Sequence, residues 1–245
     1  MRVRDVKASH GWLWIKQGFK LFRISPLLWI MLIGAWLLIS MLIANIPLLG
    51  SLISGLLYPV FFAGFMVGCR ALEAGEQLEL AHLFAGFKKN MAPLITVGGI
   101  NLVGQVGLYA LMSMAGLQDM PVNAEPADAV AMLQIMQHNV PILLLGLALS
   151  APLMMALWFT PALLIFHDMK ALDAVRWSFY ACISNIMPFT VYGLITFLLA
   201  IAAAIPLGLG LLVLIPVLVA TTYTGYRDIF ELDDQAGALT QASAD

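Results

Sequence analysis

The chain has 245 residues, of which 62% are apolar and only 11% charged, with a formal net charge of −2. Water-soluble domains average about 45–50% apolar and about 25% charged, so a fold of this size cannot bury the surplus and lipid must be its solvent. Near-neutral charge without a long basic run gives no footprint for nucleic acid. Two cysteines, Cys69 and Cys182, make neither a disulfide framework nor a metal set. The apolar runs lack the strict alternation of an outer-membrane barrel, so helices must satisfy the backbone. We expect an all-α, polytopic membrane bundle. No cleavable leader is expected, because the first apolar run begins only after 25 residues and is too long for a signal core.

The N-terminal segment reads as a helix lying in the membrane surface. Trp12, Trp14, Ile15, Phe19, Leu21 and Phe22 fall on one half of a helical wheel, and Lys16, Gln17, Lys20 and Arg23 on the other. Aromatics at headgroup depth beside a basic stripe suit anionic lipid. Trp12, Trp14, Lys16, Lys20 and Arg23 are therefore the candidate lipid contacts.

Six spans follow, at about 26–45, 48–69, 92–115, 140–166, 187–205 and 207–226. All twelve Lys and Arg fall on one side of that scheme. Arg2, Arg4, Lys7, Lys16, Lys20 and Arg23 precede the first span. Arg70, Lys88 and Lys89 lie between the second and third, Lys170 and Arg176 between the fourth and fifth, and Arg227 after the sixth. The positive-inside rule makes this side the cytoplasm, with both termini inside.

Two opposite-side connections are tight, "NIPLLG" (45–50) and "AIPLG" (204–208). The middle one, 117–139, is long and carries only the acidic charges Asp119, Glu125 and Asp128. Within it Ala129, Met132, Leu133 and Met136 share a helical face and Pro126 is placed to start a helix, so a short amphipathic helix on the outer surface is expected.

The stretch "NMAPLITVG" (90–98) has a counterpart in "NIMPFTVYG" (185–193). Both place Pro three residues after Asn and Gly eight residues after it. Asn tolerates the left-handed backbone that ends a helix, and the following Pro prevents the helix from resuming in line. Asn90, Pro93, Gly98, Asn185, Pro188 and Gly193 thus mark bends where a surface helix (79–89 or 171–184) turns into a span. "GFKLFRISPLLWIML" (18–32) keeps only the proline, Pro26. The second span of each pair also carries a proline, Pro59, Pro161 or Pro216. The chain therefore reads as three parallel hairpin repeats, about 8–72, 78–168 and 171–228, each preceded by a cytoplasmic interfacial helix. They form one integral membrane domain, 1–230. Residues 231–245, acidic and then small and polar, read as a disordered cytoplasmic tail.

No charged side chain falls inside a predicted span, which argues against a proton relay or voltage sensor. Asn101, Gln105 and Tyr109 form an i, i+4, i+8 stripe on the third span. Such groups avoid lipid, and serve either as interhelical hydrogen-bond glue or as the polar lining of a substrate cavity. His167 and Asp168 near Ser178 and Cys182 raise the thought of a base and nucleophile, but polar residues collect at helix ends without catalysis. His82, a helical turn from Glu79, has no neighbouring His or Cys to complete a metal set. No phosphate loop, HExxH or GxSxG occurs. No enzyme, cofactor or metal is expected.

On "GWLWIKQGFKLFRISPLLW", "IPLLGSLISGLLYPVFFAGFMVGCRAL", "LFAGFKKNMAPL" and "AVRWSFYACISNIMPF", the chain resembles an uncharacterised family of six-span bacterial inner-membrane proteins. The surface-helix, Asn, Pro pattern is more distantly similar to the membrane domain joined to some glycerophosphodiester phosphodiesterases. No such catalytic domain is present here. The resemblance implies a bacterial cytoplasmic membrane and carries no site residues. We expect a non-enzymatic protein acting on membrane lipids, a protein partner or a second copy of itself. The alternative is a transporter or conduit for a small neutral or amphiphilic solute.

Overall fold

In the computed structural model, which describes residues 2–47, 49–117 and 129–231, every regular element among the described residues is helical. The order is α1 (His10–Ile24), α2 (Pro26–Ala44), α3 (Gly50–Glu73), a 3-10 turn (Leu80–Phe84) running into α4 (Ala85–Lys88), α5 (Met91–Met114), α6 (Ala129–Trp158), α7 (Thr160–Phe166), α8 (Ala171–Ser184), α9 (Ile186–Ala204), α10 (Leu211–Tyr226) and a π-helical turn (Arg227–Glu231). The tail beyond 231 and the acidic stretch 118–128 lie outside the described residues.

Proline sets where three of these helices start. Pro26, Pro93 and Pro188 each sit in the first turn of α2, α5 or α9, where a missing N–H costs nothing because that donor has no intrahelical partner. The residue just before each helix accepts its first helical bond: Trp29 N to Ser25 O at 3.1 Å, Leu94 N to Asn90 O and Phe189 N to Asn185 O at 3.2 Å. Of the two Asn residues only Asn90 takes the left-handed backbone, with φ 59 and ψ 31. Asn185 stands at φ −113 and ψ 36. The left-handed expectation thus holds at one copy and fails at the other, where the side chain does different work.

Among the described residues five helical stretches are long and apolar enough to cross a membrane: α2, α3, α5, α9, and α6 with α7. The expected sixth is shorter. Its turn runs on through Leu207 and Gly208, both at positive φ, so α10 keeps 16 residues, about 24 Å against ~30 Å of hydrocarbon. The fourth is longer than expected. The segment 129–136 does not form a separate surface helix but supplies the first turns of α6, which continues through Pro141 and Pro152. His138 Nε2 donates to Gly116 O at 2.9 Å and fastens this extension to the end of α5. Beyond it the chain breaks at Phe159, and Pro161 opens α7 instead of interrupting a helix.

α3 is the central helix, with half of its most apolar stretch buried, while α2, α5, α6 and α9 bury under a fifth of theirs. It packs against α2, α5, α7 and α10. Hydrocarbon is as apolar as leucine, so spans gain little by hiding apolar surface from lipid, and close backbone approach matters more. Gly98 illustrates this: a Cβ there would lie 2.7 Å from Leu56 Cα.

The largest fully buried side chains are Trp14, Trp29, Phe65, Phe159, Tyr223, Tyr226 and Phe230. All belong to the end of the bundle that carries the Lys and Arg residues. At the opposite end Leu42, Met114, Ile205 and Leu207 are exposed. The large side chains are thus packed most tightly at the charge-rich end and are more exposed toward the other.

Candidate functional site: a central cavity above an aromatic plug

Two hydrogen-bonded hubs gather the spans. Asp228, in the π-helical turn, is buried and accepts from His10 Nδ1 at 2.6 Å, Trp14 Nε1 at 2.8 Å and Arg4 Nη1 at 3.4 Å. Charge-assisted bonds of this kind outweigh neutral ones. Asn185, also buried, accepts the Val6 N–H at 2.9 Å and donates to Arg4 O and Ala181 O at 3.0 Å. Together they hold the segment from Arg4 to His10 between α8 and the π-helical turn. A third contact secures α3. Glu73 pairs with Arg227 and accepts from Tyr223 OH at 2.7 Å, and Arg70 lies 3.4 Å from the centre of the Phe166 ring.

Above this plug lies a chamber of about 560 Å³. Helices α2, α3, α5, α6, α9 and α10 all contribute to its wall, among them Trp36 of α2, Phe65 of α3, Asn101 of α5, Leu157 of α6, Tyr192 of α9 and Leu218 of α10. Pro59 and Pro161 line it as well, and among the described residues none that lines it is charged. The wall is mainly aliphatic and aromatic, with a few hydroxyl and amide groups between. A smaller annex of about 320 Å³ shares Trp36, Tyr58 and Asn101 with the chamber and adds Ser40 and Ser54.

The polar stripe of α5 divides on this geometry. Asn101 and Gln105 line the chamber. Tyr109 does not line it and is 59% exposed. At i+8 it stands about 80° round the helix from Asn101, on the part of α5 beyond the charge-rich end, so the expectation of a polar lining is corrected for Tyr109. The paired glycines diverge too. Gly98 is pressed against α3, whereas a Cβ on Gly193 would meet nothing within 4 Å, because Gly193 faces the chamber.

On α1, Trp12, Lys16, Lys20 and Arg23 are exposed. Trp14 is not a lipid contact: it is 2% exposed, bonded to Asp228, and packed edge-on against Phe189 with ring centres 5.3 Å apart. Ile15, Leu21 and Phe22 are buried as well. The apolar face of α1 is thus turned to α9 and α10, and at Gly11 a Cβ would lie 2.8 Å from Tyr192 N. Wheel periodicity finds the apolar face of a helix but does not say whether lipid or protein covers it.

The residues that suggested a base and nucleophile are engaged elsewhere. His167 Nε2 shares a 2.7 Å hydrogen bond with Tyr226 OH. Ser178 Oγ accepts the Phe159 N–H and donates to Met155 O, closing the break between α6 and α7. Cys182 is buried, and burial pushes its thiol up to about 12. His82 caps the 3-10 turn, accepting the Glu79 N–H at 3.0 Å. Sequence reasoning missed Trp36, Tyr58, Tyr192 and Ser54, single residues in apolar runs whose common position only the packing reveals. It also missed the buried Asp228, a single acidic residue just past the last expected span.

The chain is 31% identical over 242 residues to the probable inner membrane protein BTH_II0599 of Burkholderia thailandensis, an alignment covering 91% of this chain and 84% of that protein. No family model matches the chain, and no solved structure does.

Proposed function

Because the chain belongs to the same family as that Burkholderia inner membrane protein, we propose that it is a six-span inner-membrane protein that holds an acyl chain of a membrane lipid in its central chamber, without catalysis. The observation that carries this reading is the uncharged, mostly apolar chamber of about 560 Å³ between the membrane helices. Its volume falls in the range of small-molecule sites, about 300–1,000 Å³. A hydrocarbon chain can enter such a space from lipid without losing hydration, and Asn101 and Gln105 supply fixed polar points along its wall.

The six-span count, with α10 as the short sixth member, is supported by the recurring order of surface segment, span and span. The matching prolines and first-turn bonds of α2, α5 and α9 support three hairpin repeats. The location of every Lys and Arg supports cytoplasmic termini. Holding is favoured over conduction because Trp14, Phe159, Tyr223, Tyr226 and Phe230 pack into a buried plug at the charge-rich end. A conduit would have to break that packing.

The test reconstitutes the protein in vesicles containing a phospholipid with a diazirine in one acyl chain, then maps photo-adducts by peptide mass spectrometry. Adducts on Leu153, Leu157 and Leu218, diminished by Gly193→Phe, are expected. Adducts confined to the exposed positions Val103, Leu144 and Phe197, at unchanged level in Gly193→Phe, overturn the reading.

A further inference from the structure

In lipid a helical hydroxyl has no water to turn to, and it normally donates to a carbonyl one turn back. The spans follow that rule: Thr96 Oγ1 donates to Ala92 O at 2.9 Å, Ser150 Oγ to Leu147 O at 2.7 Å, Thr160 Oγ1 to Ala156 O at 2.7 Å and Thr190 Oγ1 to Ile186 O at 2.8 Å. Two hydroxyls depart from it, Ser54 Oγ and Thr196 Oγ1, both buried with no hydrogen-bond partner; Thr196 lines the chamber and Ser54 the annex. Ser40 of α2, Asn101 of α5 and Tyr58, one turn along α3 from Ser54, also line the annex, and Trp36, Tyr58 and Asn101 line the chamber as well. A buried hydroxyl left unsatisfied costs about 1–3 kcal/mol, so a hydrogen-bonding ligand placed here would recover that loss.

Resting on the reading of the chamber as an acyl-chain site, we propose that annex and chamber form one bipartite site for a neutral lipid, whose uncharged hydroxyl or carbonyl head lies in the annex. The chemistry of the walls restricts the head. Ser40, Ser54, Tyr58 and Asn101 both donate and accept, and so match a hydroxyl or an ester carbonyl. No Lys, Arg or His lines either cavity, and a phosphate carried there would be a buried charge without a counter-charge. Diacylglycerol has the required head, and phosphatidate, with the same acyl chains, has the excluded one. Trp36 and Tyr58, tilted at 60° with ring centres 6.5 Å apart, line both compartments, and the glycerol esters would lie against them.

The experiment uses the full chain in vesicles doped with diacylglycerol or phosphatidate bearing the same acyl chains, each with a diazirine beside the glycerol ester. Adducts are quantified separately on the annex helices (residues 36–61) and on the chamber positions Leu153, Leu157 and Leu218. Diacylglycerol is expected to label the annex well above phosphatidate. Ser54→Ala is expected to lower that labelling about fivefold, the equivalent of one hydrogen bond, and Ser54→Thr, which keeps the hydroxyl, to restore it. Equal annex labelling by the two lipids, or no change in Ser54→Ala while thermal unfolding shows the variant intact, overturns the head-group assignment. In that case persistent chamber adducts leave the acyl-chain reading standing. Loss of the chamber adducts with both lipids overturns both.

Discussion

The indole Nε1 of Trp14 donates to Asp228 at 2.8 Å, so α1 is bonded to the π-helical turn that follows α10, across 214 positions. The bond lies inside the aromatic plug, with Trp14 and Asp228 both buried. It makes closure of the charge-rich end depend on both chain ends being in place. A hydrogen bond to a charged group is worth about 1.5–3 kcal/mol.

Trp14→Phe, which keeps most of the ring packing, should therefore lower unfolding stability in detergent by about 1–3 kcal/mol. Asp228→Ala should cost more, because His10 and Arg4 lose the same partner. Denaturant titration followed by circular dichroism makes the comparison. A Trp14→Phe protein as stable as wild type would show that the indole bond contributes nothing.

The two Asn-Pro motifs should respond in opposite order to glycine and alanine. Asn90 holds φ 59 and donates from Nδ2 to Leu164 O at 2.5 Å. Both substitutions lose the amide bond, but only glycine tolerates the left-handed backbone, so Asn90→Gly should be about 1 kcal/mol more stable than Asn90→Ala. Asn185 stands at φ −113, where glycine brings only extra chain entropy, and Asn185→Ala should be the milder change by a few tenths to about 1 kcal/mol. Either Asn185 variant should speed amide exchange at Val6, whose N–H loses its acceptor. Identical ordering at both sites would mean the motifs are equivalent after all.

What was legible in the sequence follows from the kind of force involved. Membrane residence and the starts of α2, α5 and α9 came from composition and from Pro26, Pro93 and Pro188, signals that act locally. The short α10 was misjudged because Leu207 and Gly208 extend the turn into a run that hydropathy alone reads as continuous. Trp14 was assigned to lipid because lipid and protein interior attract the same face of a helix. The cavity was half visible. Asn101 and Gln105 stand out as polar residues in an apolar run, but Tyr109 shares their stripe and not their surroundings. Ser54 gave no signal, since its significance lies in a hydrogen bond it fails to make.

Both cysteines should be inert in the native protein. Cys69 and Cys182 are buried, and the nucleophile toward maleimide is the thiolate. With its thiol pushed up to about 12 by burial, Cys182 at pH 8 would be ionised in about one molecule in ten thousand. Raising the pH from 7 to 9 should leave maleimide labelling of the folded protein slow, while unfolding in dodecyl sulfate should expose two reactive thiols. Rapid modification of Cys182 before unfolding would mean that α8 does not stay seated on α6.

Gly98 and Gly193 occupy the same place in the two motifs, and their environments demand opposite tolerances. At Gly98 a methyl group would press on the Leu56 backbone, which cannot turn aside as a side chain can. Gly98→Ala must therefore push α5 away from α3, and overpacking of this kind costs about 1–3 kcal/mol. At Gly193 the added methyl would enter the chamber and touch nothing within 4 Å. Gly193→Ala should be neutral or slightly stabilising, since alanine is the better helix former by about 1 kcal/mol. Larger residues at 193 separate stability from occupancy: Gly193→Leu should leave the unfolding midpoint near that of Gly193→Ala while reducing lipid photo-adducts at Leu157 and Leu218. If Gly193→Leu unfolds as readily as Gly98→Ala, position 193 is packed rather than open, and the chamber is smaller than its walls imply.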